Sequence, residues 1–577
     1  MGKTFITVIL PLRLEWNPYY YVETMDASAP AVRRGDRVRV MVAGKYYQGV
    51  VYETGVTPVI PENKIRSIVS VEPLERISEE EIRLWEFIAE YYMCTIGEVY
   101  KAAYPVGRIS EEQIGEHIRQ RNEARKARLV AALTRKKETF ESRLDKRRAE
   151  LGKAKKDERK QLLRSQLEEL SVQLNEVEER LASILDETQE KTDLDLAPIT
   201  LSEAQTVAYK SIVKAFGDNK IALLNGITGS GKTEIYCTLA EEVLRQGRNV
   251  LYLVPEIALS RQLEDRLQKV FGDCLLTSHS GESYVHRREV AAAVRQRQYV
   301  LLGTRSSIFL PHRDLGLIII DEEHDTSYKQ DNPSPRYNAR DCALMMGRIF
   351  SCPVILGSAT PSLESLYNTS AGRYELVPLT ERYYEGEDAQ VEVIDTIAER
   401  RKRGMVGSLS RKLIAHIHDT LERGEQVLVL RARKAYSPYV QCDSCGDMPR
   451  CPHCNVTLSY HKDRNRLVCH YCGHSEPYVM TCPKCGGNRV SVGTGTQKVE
   501  EEISALFPDA KVGRLDGDNV AQSAKTISEF AQGSMDILVG TQMVSKGFDF
   551  ENLTLVAVIQ SDSLLGQQDF RADARAV

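Results

Sequence analysis

The chain has 577 residues, of which 42% are hydrophobic and 27% are charged, and this length and composition suit a soluble protein of roughly three to five domains. Its formal net charge is −4, so bulk charge does not indicate a nucleic-acid partner, and local basic patches would have to bind one. No apolar run approaches the ~18 residues of a membrane span, and the N-terminal sequence lacks the features of a signal peptide; we therefore expect a cytoplasmic protein.

Residues 1–108 have the pattern of a small β-rich domain. The stretch RRGDRVRVMVAGKYYQGVVYETG alternates polar and apolar side chains with a period of two, and Gly35, Gly44 and Gly55 interrupt it, which is typical of strands joined by turns. The run SEEEIRLWEFIAEYY predicts a helix, because Ser78 and Glu81 have the spacing of a capping box.

Residues 109–192 have a composition dominated by Lys, Arg and Glu. Apolar positions in the second half follow the 4-3 spacing of a coiled-coil seam, so we expect a charged helical hairpin that forms an arm. Two interpretations stay open: a solvated arm with one apolar stripe, or an arm that contacts DNA or a partner through the basic stretch RKARLVAALTRKK. The seam positions are Leu163, Leu167, Leu170, Leu174, Val177, Leu181 and Leu185.

From residue 193 onward short apolar runs alternate with amphipathic helices. Runs such as IALLNGI and LGLIIIDEEH are apolar enough for parallel strands that are buried on both faces, and a second series, QVLVL, DILVGT and LTLVAVIQ, follows. We predict an α/β fold with two RecA-like lobes. Residues 193–385 form the first, ATP-binding lobe, and residues 386–577 form the second lobe, which is incomplete and holds a zinc-binding insertion at 441–488.

The run GITGSGKT, Gly226 to Thr233, matches the phosphate-binding loop G-x-x-x-x-G-K-[ST] between a strand-like and a helix-like run. Backbone N–H groups of such a loop bind phosphate oxygens at a helix N-terminus. Lys232 is predicted to reach the β- and γ-phosphates, and the Thr233 hydroxyl to bind Mg²⁺. Candidate ligands of ATP are therefore Gly226, Thr228, Gly229, Ser230, Gly231, Lys232 and Thr233.

The run LIIIDEEHD places acidic residues at the carboxyl end of an apolar strand. Asp321 is predicted to hold Mg²⁺ and Glu322 to polarise the attacking water, and we count Lys232 and His324 with them as catalytic candidates. The later run GSATPS looks like the coupling motif of superfamily 2 helicases. Gln205 lies 27 residues before Lys232, where such helicases recognise the adenine edge.

Loops at several strand ends are candidates for DNA contacts. The runs VPEIALS, GTRSSIF, RYNARD and VGTQMVSKGFDF place hydroxyls, amides and basic side chains in such loops, and contacts of this kind to the backbone carry no sequence specificity. The candidate DNA-binding residues are Arg305, Arg336, Tyr337, Thr541 and Lys546.

Eight of the 13 cysteines form four Cys-x-x-Cys pairs within one segment. Eight thiolates make two tetrahedral Cys₄ zinc sites, and the absence of an open coordination position indicates structural sites. Spacing alone does not fix which pairs share an ion. The alternatives to two Cys₄ sites are a redox role for the Cys-x-x-Cys pairs, or metal ligation by His453, His461, His470 or His474. The cysteines are Cys442, Cys445, Cys451, Cys454, Cys469, Cys472, Cys482 and Cys485.

The order GITGSGKTEIY, VPEIALS, GTRSSIF, IDEEHDTSYKQ, RYNARD, LGSATPSLES, eight cysteines, GTGTQKVEEE and GTQMVSKGFDF closely resembles the PriA family of replication-restart helicases. The likeness covers about residues 200–577 and, more weakly, 1–105. It implies a monomeric 3′→5′ DNA helicase that acts at stalled forks and D-loops and helps to assemble the primosome, with primosome proteins and single-stranded DNA-binding protein as partners.

The resemblance also implies roles for single segments. It implies nested zinc pairing, with the first and last Cys-x-x-Cys pairs on one ion and the two middle pairs on the other. It implies that the zinc module contacts partner proteins and helps to separate strands, and that the N-terminal domain binds the 3′ end of a DNA strand. In this sequence the matching loop, LEWNPYYYV, lacks the usual Phe-Asp pair, and the hairpin of residues 109–192 stands where the family has a winged helix.

The sequence finishes at DFRADARAV and contains no Gln-x-x-Gly-Arg-x-Gly-Arg motif, so we expect a chain truncated before the last helicase motif. An arginine supplied to the γ-phosphate is worth ~10³–10⁵ in rate. We therefore expect the chain to bind ATP and DNA but to hydrolyse ATP slowly. The competing hypothesis is a zinc-dependent scaffold that binds forks and recruits primosome proteins. A third hypothesis is a chromatin-type or restriction-type translocase, and the eight cysteines argue against it.

Overall fold

The structure, a computed structural model, divides into two compact units. The first unit is Met1–Glu256 with Asp265–Tyr383, and the second is Ile257–Glu264 with Tyr384–Val577. The domain boundaries predicted from the sequence stay a prediction. The described residues are 2–24, 32–105, 130–131, 134–149, 151–152, 163, 165–167, 170–171, 174–175, 199–255, 261–279, 284–382, 390–431, 439–454, 456–461, 465–469, 471–492, 496–515, 523–541, 550–562 and 571.

The N-terminal part of the first unit is a six-stranded, mostly antiparallel sheet in the order β5-β2-β1-β4-β3-β6, followed by two helices. The capping box predicted at Ser78 and Glu81 is present, and Thr95 and Glu98 form a second one. The elements are β1 Gly2–Ile9, β2 Tyr19–Thr24, β3 Arg37–Val42, β4 Lys45–Thr54, β5 Arg66–Ser67, β6 Ser70–Val71, α1 Glu79–Tyr91 and α2 Ile96–Ala103.

The rest of the first unit is a seven-stranded parallel sheet in the order β13-β7-β12-β11-β8-β10-β9. Strands β8 and β11 are buried along their whole length, as their apolar runs predicted. The elements are α3 Glu203–Gly217, β7 Ile221–Gly226, α4 Lys232–Arg245, β8 Asn249–Leu253, α5 Arg261–Phe271, β9 Leu275–Ser278, α6 Tyr284–Gln296, β10 Val300–Gly303, β11 Leu315–Ile320, α7 Ala339–Ile349, β12 Val354–Ser358, α8 Leu363–Ser370 and β13 Tyr374–Leu379.

The N-terminal domain and this lobe share one apolar core. Trp85 and Tyr100 of the N-terminal helices belong to the same buried cluster as the strand residues Leu251 and Ile318, and α1 packs against α7. Hydrogen bonds also join the two parts, because the Arg295 guanidinium donates to the Tyr104 hydroxyl at 3.0 Å. The N-terminal domain is therefore fixed on the lobe.

The second unit contains a parallel sheet in the order β22-β23-β16-β24, so the prediction of an α/β fold with two lobes is confirmed. A Cys-rich module is inserted between β16 and α11. The elements of the lobe are α9 Thr396–Arg401, β14 Met405–Val406, β15 Leu409–Ser410, α10 Arg411–Glu422, β16 Gln426–Arg431, α11 Thr496–Leu506, β22 Val512–Leu515, α12 Ser523–Ala531, β23 Ile537–Gly540 and β24 Leu553–Ile559.

The Cys-rich module is built from short strands, one antiparallel pair and one three-stranded sheet. Its apolar cluster is small, and two of the six buried members are cysteines, Cys451 and Cys469. So little apolar burial does not stabilise a fold by itself, and bound metal is the usual substitute. Its strands are β17 Tyr439–Cys442, β18 Ser459–His461, β19 Arg466–Val468, β20 Ser475–Pro477 and β21 Arg489–Val492.

The predicted arm at residues 109–192 is described only in part. The described residues between 130 and 175 are helical, and Leu144 and Leu163 are both 4% exposed. Val177, Leu181, Leu185 and the first part of the basic stretch lie outside the described residues, so the hairpin stays a prediction. No helix in the described part of the chain combines the length and the apolar character that crossing a bilayer requires.

Candidate nucleotide-binding site and metal centres

The phosphate-binding loop joins β7 to α4, as the motif predicted. Strand β7 ends at Gly226, and α4 begins at Lys232 directly after Gly231, whose φ of +77° is strained for any residue with a side chain. A Cβ at Gly231 would clash with the Gln205 amide. The Lys232 ammonium donates to the Gly226 carbonyl at 2.9 Å. The loop is thus a glycine cradle in which position 231 cannot carry a side chain unless Gln205 moves.

Gln205 is nearly fully buried, at 1% exposure, and its side chain supports the loop. Its Nε2 donates to the carbonyls of Ser230 and Gly231 at 3.2 Å each, while its Oε1 accepts from the Ser202 backbone at 2.8 Å. Both ends of the amide are thus bonded to the protein. Recognition of adenine by Gln205 stays a prediction, and the geometry adds a positioning role.

The acidic candidates follow β11, at the carboxyl edge of the parallel sheet. The Tyr236 hydroxyl donates to Asp321 Oδ1 at 3.1 Å. Burial and the neighbouring Glu322 carboxylate raise the pKa of Asp321, while Lys232 lowers it in part. Glu322 itself has a φ of +47°, a strained conformation of the kind found at functional sites. Lys232, Asp321 and Glu322 therefore meet at one edge, which is where a nucleotide and a divalent cation would bind.

His324 connects the acidic run to GSATPS. Its Nδ1 lies 2.8 Å from the Ser358 hydroxyl, and the same hydroxyl accepts from the Thr360 backbone at 2.9 Å. Ser358 ends β12, so the contact joins the carboxyl ends of two adjacent strands. A change at the acidic site can reach the next strand end through this hydrogen bond and through the Glu323 backbone, which donates to the Gly357 carbonyl at 3.0 Å.

The structure adds Glu323, which sequence reasoning missed. Its carboxylate accepts from the Ser362 backbone at 2.7 Å, from the Ser365 hydroxyl at 2.9 Å and from the Arg340 guanidinium at 2.9 Å. The Glu323 side chain is 0% exposed. The residues around Glu323 in the sequence gave no indication of this role, because its hydrogen-bond partners are 17 to 42 residues away along the chain.

The predicted DNA contacts lie in different environments. Arg305 Nη1 donates to the carbonyls of Ser327 and Lys329, and Arg336 is exposed. Tyr337 is 1% exposed, with its ring 5.0 Å from that of Phe309, so its burial favours a supporting role over a direct contact. Thr541 follows β23 and is half-buried, whereas Lys546 lies outside the described residues.

The eight cysteines form two quartets. Cys442, Cys445, Cys482 and Cys485 make one, and Cys451, Cys454, Cys469 and Cys472 make the other, with all sulfurs of a quartet within 4.8 Å of one another. Sulfur–sulfur distances of 3.5 to 3.7 Å suit a tetrahedron with zinc–sulfur bonds of about 2.3 Å, whose edges are about 3.8 Å. The nested pairing is confirmed.

The protein environment lowers the pKa of one cysteine in each quartet, whereas the pKa values of Cys445, Cys451, Cys454 and Cys485, whose sulfurs contact other sulfurs of their quartet, are raised. Burial would raise the pKa of Cys442, but backbone N–H groups of Ser444 and Cys445 donate to its sulfur and lower the pKa. The pKa of Cys469 is lowered in the same way. Of the alternative ligands, His453 and His474 belong to neither quartet, and His461 and His470 have no described side chain.

Three family models match the chain. A model of the 3′ DNA-binding domain matches residues 7–105, a model of the res subunit of type III restriction enzymes matches residues 198–363, and a model of the Cys-rich region of PriA DNA helicase matches residues 451–477. With the phosphate-binding loop and the two parallel lobes, these matches define the class of protein: a P-loop protein of the superfamily 2 helicase type.

Curated relatives identify the family within this class. The chain is 34% identical to replication restart protein PriA of Haemophilus influenzae over 89% of this chain and 71% of that protein. It is 33% identical to the protein of the same name from Chlamydia pneumoniae over 94% and 74%, and 41% identical to that of Bacillus subtilis over 67% and 49%. The chain belongs to the PriA replication restart family. Its match spans about half the length of the Bacillus subtilis relative.

Proposed function

We propose that the protein is an ATP-dependent DNA helicase that moves 3′→5′, acts at stalled forks and D-loops to restart replication, and assists assembly of the primosome. The observation that supports this most is the meeting of Lys232, Asp321 and Glu322 at one sheet edge beside a glycine cradle. Membership of the replication restart family supports the choice of substrate and the direction.

Each residue at the nucleotide site would have a separate role. Lys232 would bind the β- and γ-phosphates, Thr233 and Asp321 would hold Mg²⁺, and Glu322 would orient the attacking water. Mg²⁺ would supply neutralisation of charge on the phosphate oxygens. The hydrogen bond between His324 and Ser358 would couple nucleotide binding to the end of the neighbouring strand.

DNA would bind to loops at the carboxyl edges of the sheets. Arg305, Arg336, Thr541 and Lys546 would contact the phosphate backbone, and the N-terminal domain would hold a 3′ end. Two Zn²⁺ ions, one in each cysteine quartet, would fold the inserted module. Primosome proteins and single-stranded DNA-binding protein are the proposed partners, and a monomer is the proposed state.

The 577 residues contain no Gln-x-x-Gly-Arg-x-Gly-Arg run. A polypeptide of these residues alone would therefore lack an arginine that such a motif supplies to the γ-phosphate, a group worth ~10³–10⁵ in rate. We propose that it binds Mg·ATP and DNA but hydrolyses ATP slowly.

The second candidate function is a scaffold that binds forks and recruits primosome proteins without being a motor. The observation that favours it is on the Cys-rich module, where Tyr471, Val479 and Met480 are 53% to 63% exposed. Exposed apolar side chains are a common feature of partner-binding surfaces. DNA-dependent ATP turnover separates the two functions.

The first experiment measures binding before turnover. Titration with a fluorescent ATP analogue and Mg²⁺ should show binding to the wild type and to Lys269→Ala, whose lysine is exposed on α5, and loss of binding in Lys232→Ala. Anisotropy of a labelled fork should show tighter binding than that of a linear duplex. Equal nucleotide binding in the two lysine variants would contradict the assigned site.

A further inference from the structure

The Tyr236 hydroxyl lies where three elements of the nucleotide site meet. Tyr236 belongs to α4, the helix that begins in the phosphate-binding loop, and its hydroxyl donates to Asp321 Oδ1 at 3.1 Å. Asp321 directly follows β11, and Gly357 lies in the adjacent strand β12. A Cβ at Gly357 would lie 1.6 Å from the Tyr236 hydroxyl oxygen. The hydroxyl therefore packs on the Gly357 backbone while it donates to the acidic strand end.

The ring of Tyr236 is held in place by a neighbouring strand. It meets the ring of Tyr252 edge-to-face at a centroid distance of 5.5 Å, and the two residues are 0% and 1% exposed. Tyr252 belongs to β8, which is adjacent to β11 in the sheet. Close-packed interiors leave a buried ring little freedom. The packing of the ring therefore sets the direction of the hydroxyl, and a phenylalanine at position 236 would keep that packing.

The hydrogen bonds of the Asp321 carboxylate are confined to one of its oxygens. Oδ1 accepts from the Tyr236 hydroxyl and from the Glu322 backbone N–H, each at 3.1 Å. Within the described part of the chain, Oδ2 accepts no hydrogen bond and the Thr233 hydroxyl forms none. A carboxylate oxygen and the hydroxyl of a phosphate-binding loop are ligands that Mg²⁺ takes beside nucleotide phosphates. The two uncommitted groups therefore fit the cation.

Removal of the Tyr236 hydroxyl would loosen the Asp321 carboxylate. The Glu322 N–H would be its remaining donor among the described residues. The terminal torsion of an aspartate is broad and roughly two-fold, so a carboxylate with one donor is free to turn either oxygen toward a cation. Hydrogen-bond partners that orient a metal ligand typically contribute roughly 10- to 100-fold in metal affinity. The hydroxyl is thus placed to act on a cation through Asp321.

We propose that Tyr236 is a positioning residue for Mg²⁺, whose hydroxyl holds Asp321 with Oδ2 turned to the cation, and that Gly357 lacks a side chain because this hydroxyl occupies the space. The inference rests on the proposed function and deepens it. It adds to the metal site two residues that lie outside the phosphate-binding loop and the acidic run, one on α4 and one on β12.

The test compares the affinity of a fluorescent ATP analogue in excess Mg²⁺ with its affinity in EDTA. The ratio of the two dissociation constants measures how much the cation strengthens binding, and it cancels any effect of a substitution on the nucleotide alone. In Tyr236→Phe this ratio should fall roughly 10-fold, whereas the affinity in EDTA should equal that of the wild type. Asp321→Asn, which removes the charge of the proposed ligand, should lower the ratio as well.

Tyr299→Phe is the matched control. Tyr299 is also 0% exposed, and its hydroxyl lies 2.9 Å from His312 Nδ1. It directly precedes β10, at the amino edge of the parallel sheet and away from the nucleotide site. Loss of this buried hydroxyl should therefore leave the ratio unchanged. Emission of Trp85, which is 1% exposed in the same unit, checks that each variant remains folded.

A double variant tests the role of Gly357. Gly357→Ala should lower the ratio, because its Cβ would displace the Tyr236 hydroxyl. Once Tyr236→Phe has removed that hydroxyl, the alanine has less to displace. The two losses should therefore not multiply when the substitutions are combined, as expected for residues in direct contact.

Three results would overturn the proposal and leave the proposed function intact. An unchanged ratio in Tyr236→Phe would show that the hydroxyl does not orient Asp321. An affinity that falls equally in Mg²⁺ and in EDTA would assign Tyr236 a purely structural role. Losses that multiply fully in the double variant would separate Gly357 from the hydroxyl. Failure of the wild type to bind the analogue in either condition would instead contradict the proposed function together with the metal site.

Discussion

Removal of the Arg340 guanidinium tests the buried network around Glu323. The two side chains are 2.9 Å apart, and they are 15% and 0% exposed. Removing one partner of a buried ion pair costs roughly 3–5 kcal/mol, because the other charge stays desolvated. In Arg340→Met the Glu323 carboxylate keeps its donors from Ser362 and Ser365. We therefore expect a loss at the lower end of that range, about 3 kcal/mol.

The matched control lies on the same helix. Arg348 of α7 is exposed, so Arg348→Met should change the free energy of unfolding by less than about 0.5 kcal/mol. Urea unfolding followed by tryptophan emission is the assay, since Trp16 and Trp85 both lie in the first unit. Equal unfolding midpoints for Arg340→Met and Arg348→Met would refute the reasoning that an ion pair holds this network.

Further predictions concern the glycine cradle, a buried histidine and the metal sites. Gly231→Ala should weaken Mg·ATP binding in the fluorescent-analogue titration, while Gly247→Ala, with a similar φ of +78° but open space around it, should bind as the wild type. Burial lowers the pKa of His312 to about 4; below pH ~6.5 the unfolded chain takes up a proton that the folded chain does not. Stability should therefore fall by about 3 kcal/mol between pH ~6.5 and 4, and a flat urea midpoint over that range would contradict this. Metal analysis should find two Zn²⁺ per chain in Cys274→Ser and fewer in Cys482→Ser.

The parts of the site with local sequence signals were predictable. The phosphate-binding loop and the acidic run are each a short run of consecutive residues that directly follows one strand. Each could therefore be recognised from the local sequence. The α/β class followed from apolar runs such as that of β11, which is buried throughout. The cysteine spacing predicted two metal sites, but only the family resemblance predicted which pairs share an ion.

Features that depend on tertiary packing were not predictable. Glu323 and Arg340 form a hydrogen bond although they are 17 residues apart in the sequence. The periodicity of apolar residues does not predict a contact at that separation. Tyr337 was a candidate DNA contact because it lies in a loop, yet its ring is buried against Phe309, and a loop sequence does not show which side faces the core. The support that the Gln205 amide gives to the phosphate-binding loop likewise depends on how α3 packs beside the glycine cradle.

ATP turnover with and without forked DNA tests the central claim most directly, with Lys232→Ala beside the wild type. The account predicts slow turnover that forked DNA increases and that Lys232→Ala abolishes, because we propose that Lys232, Asp321 and Glu322 form a nucleotide site coupled to DNA. Turnover that is no higher than in Lys232→Ala when forked DNA is present would contradict a motor function and leave the scaffold as the function of these residues.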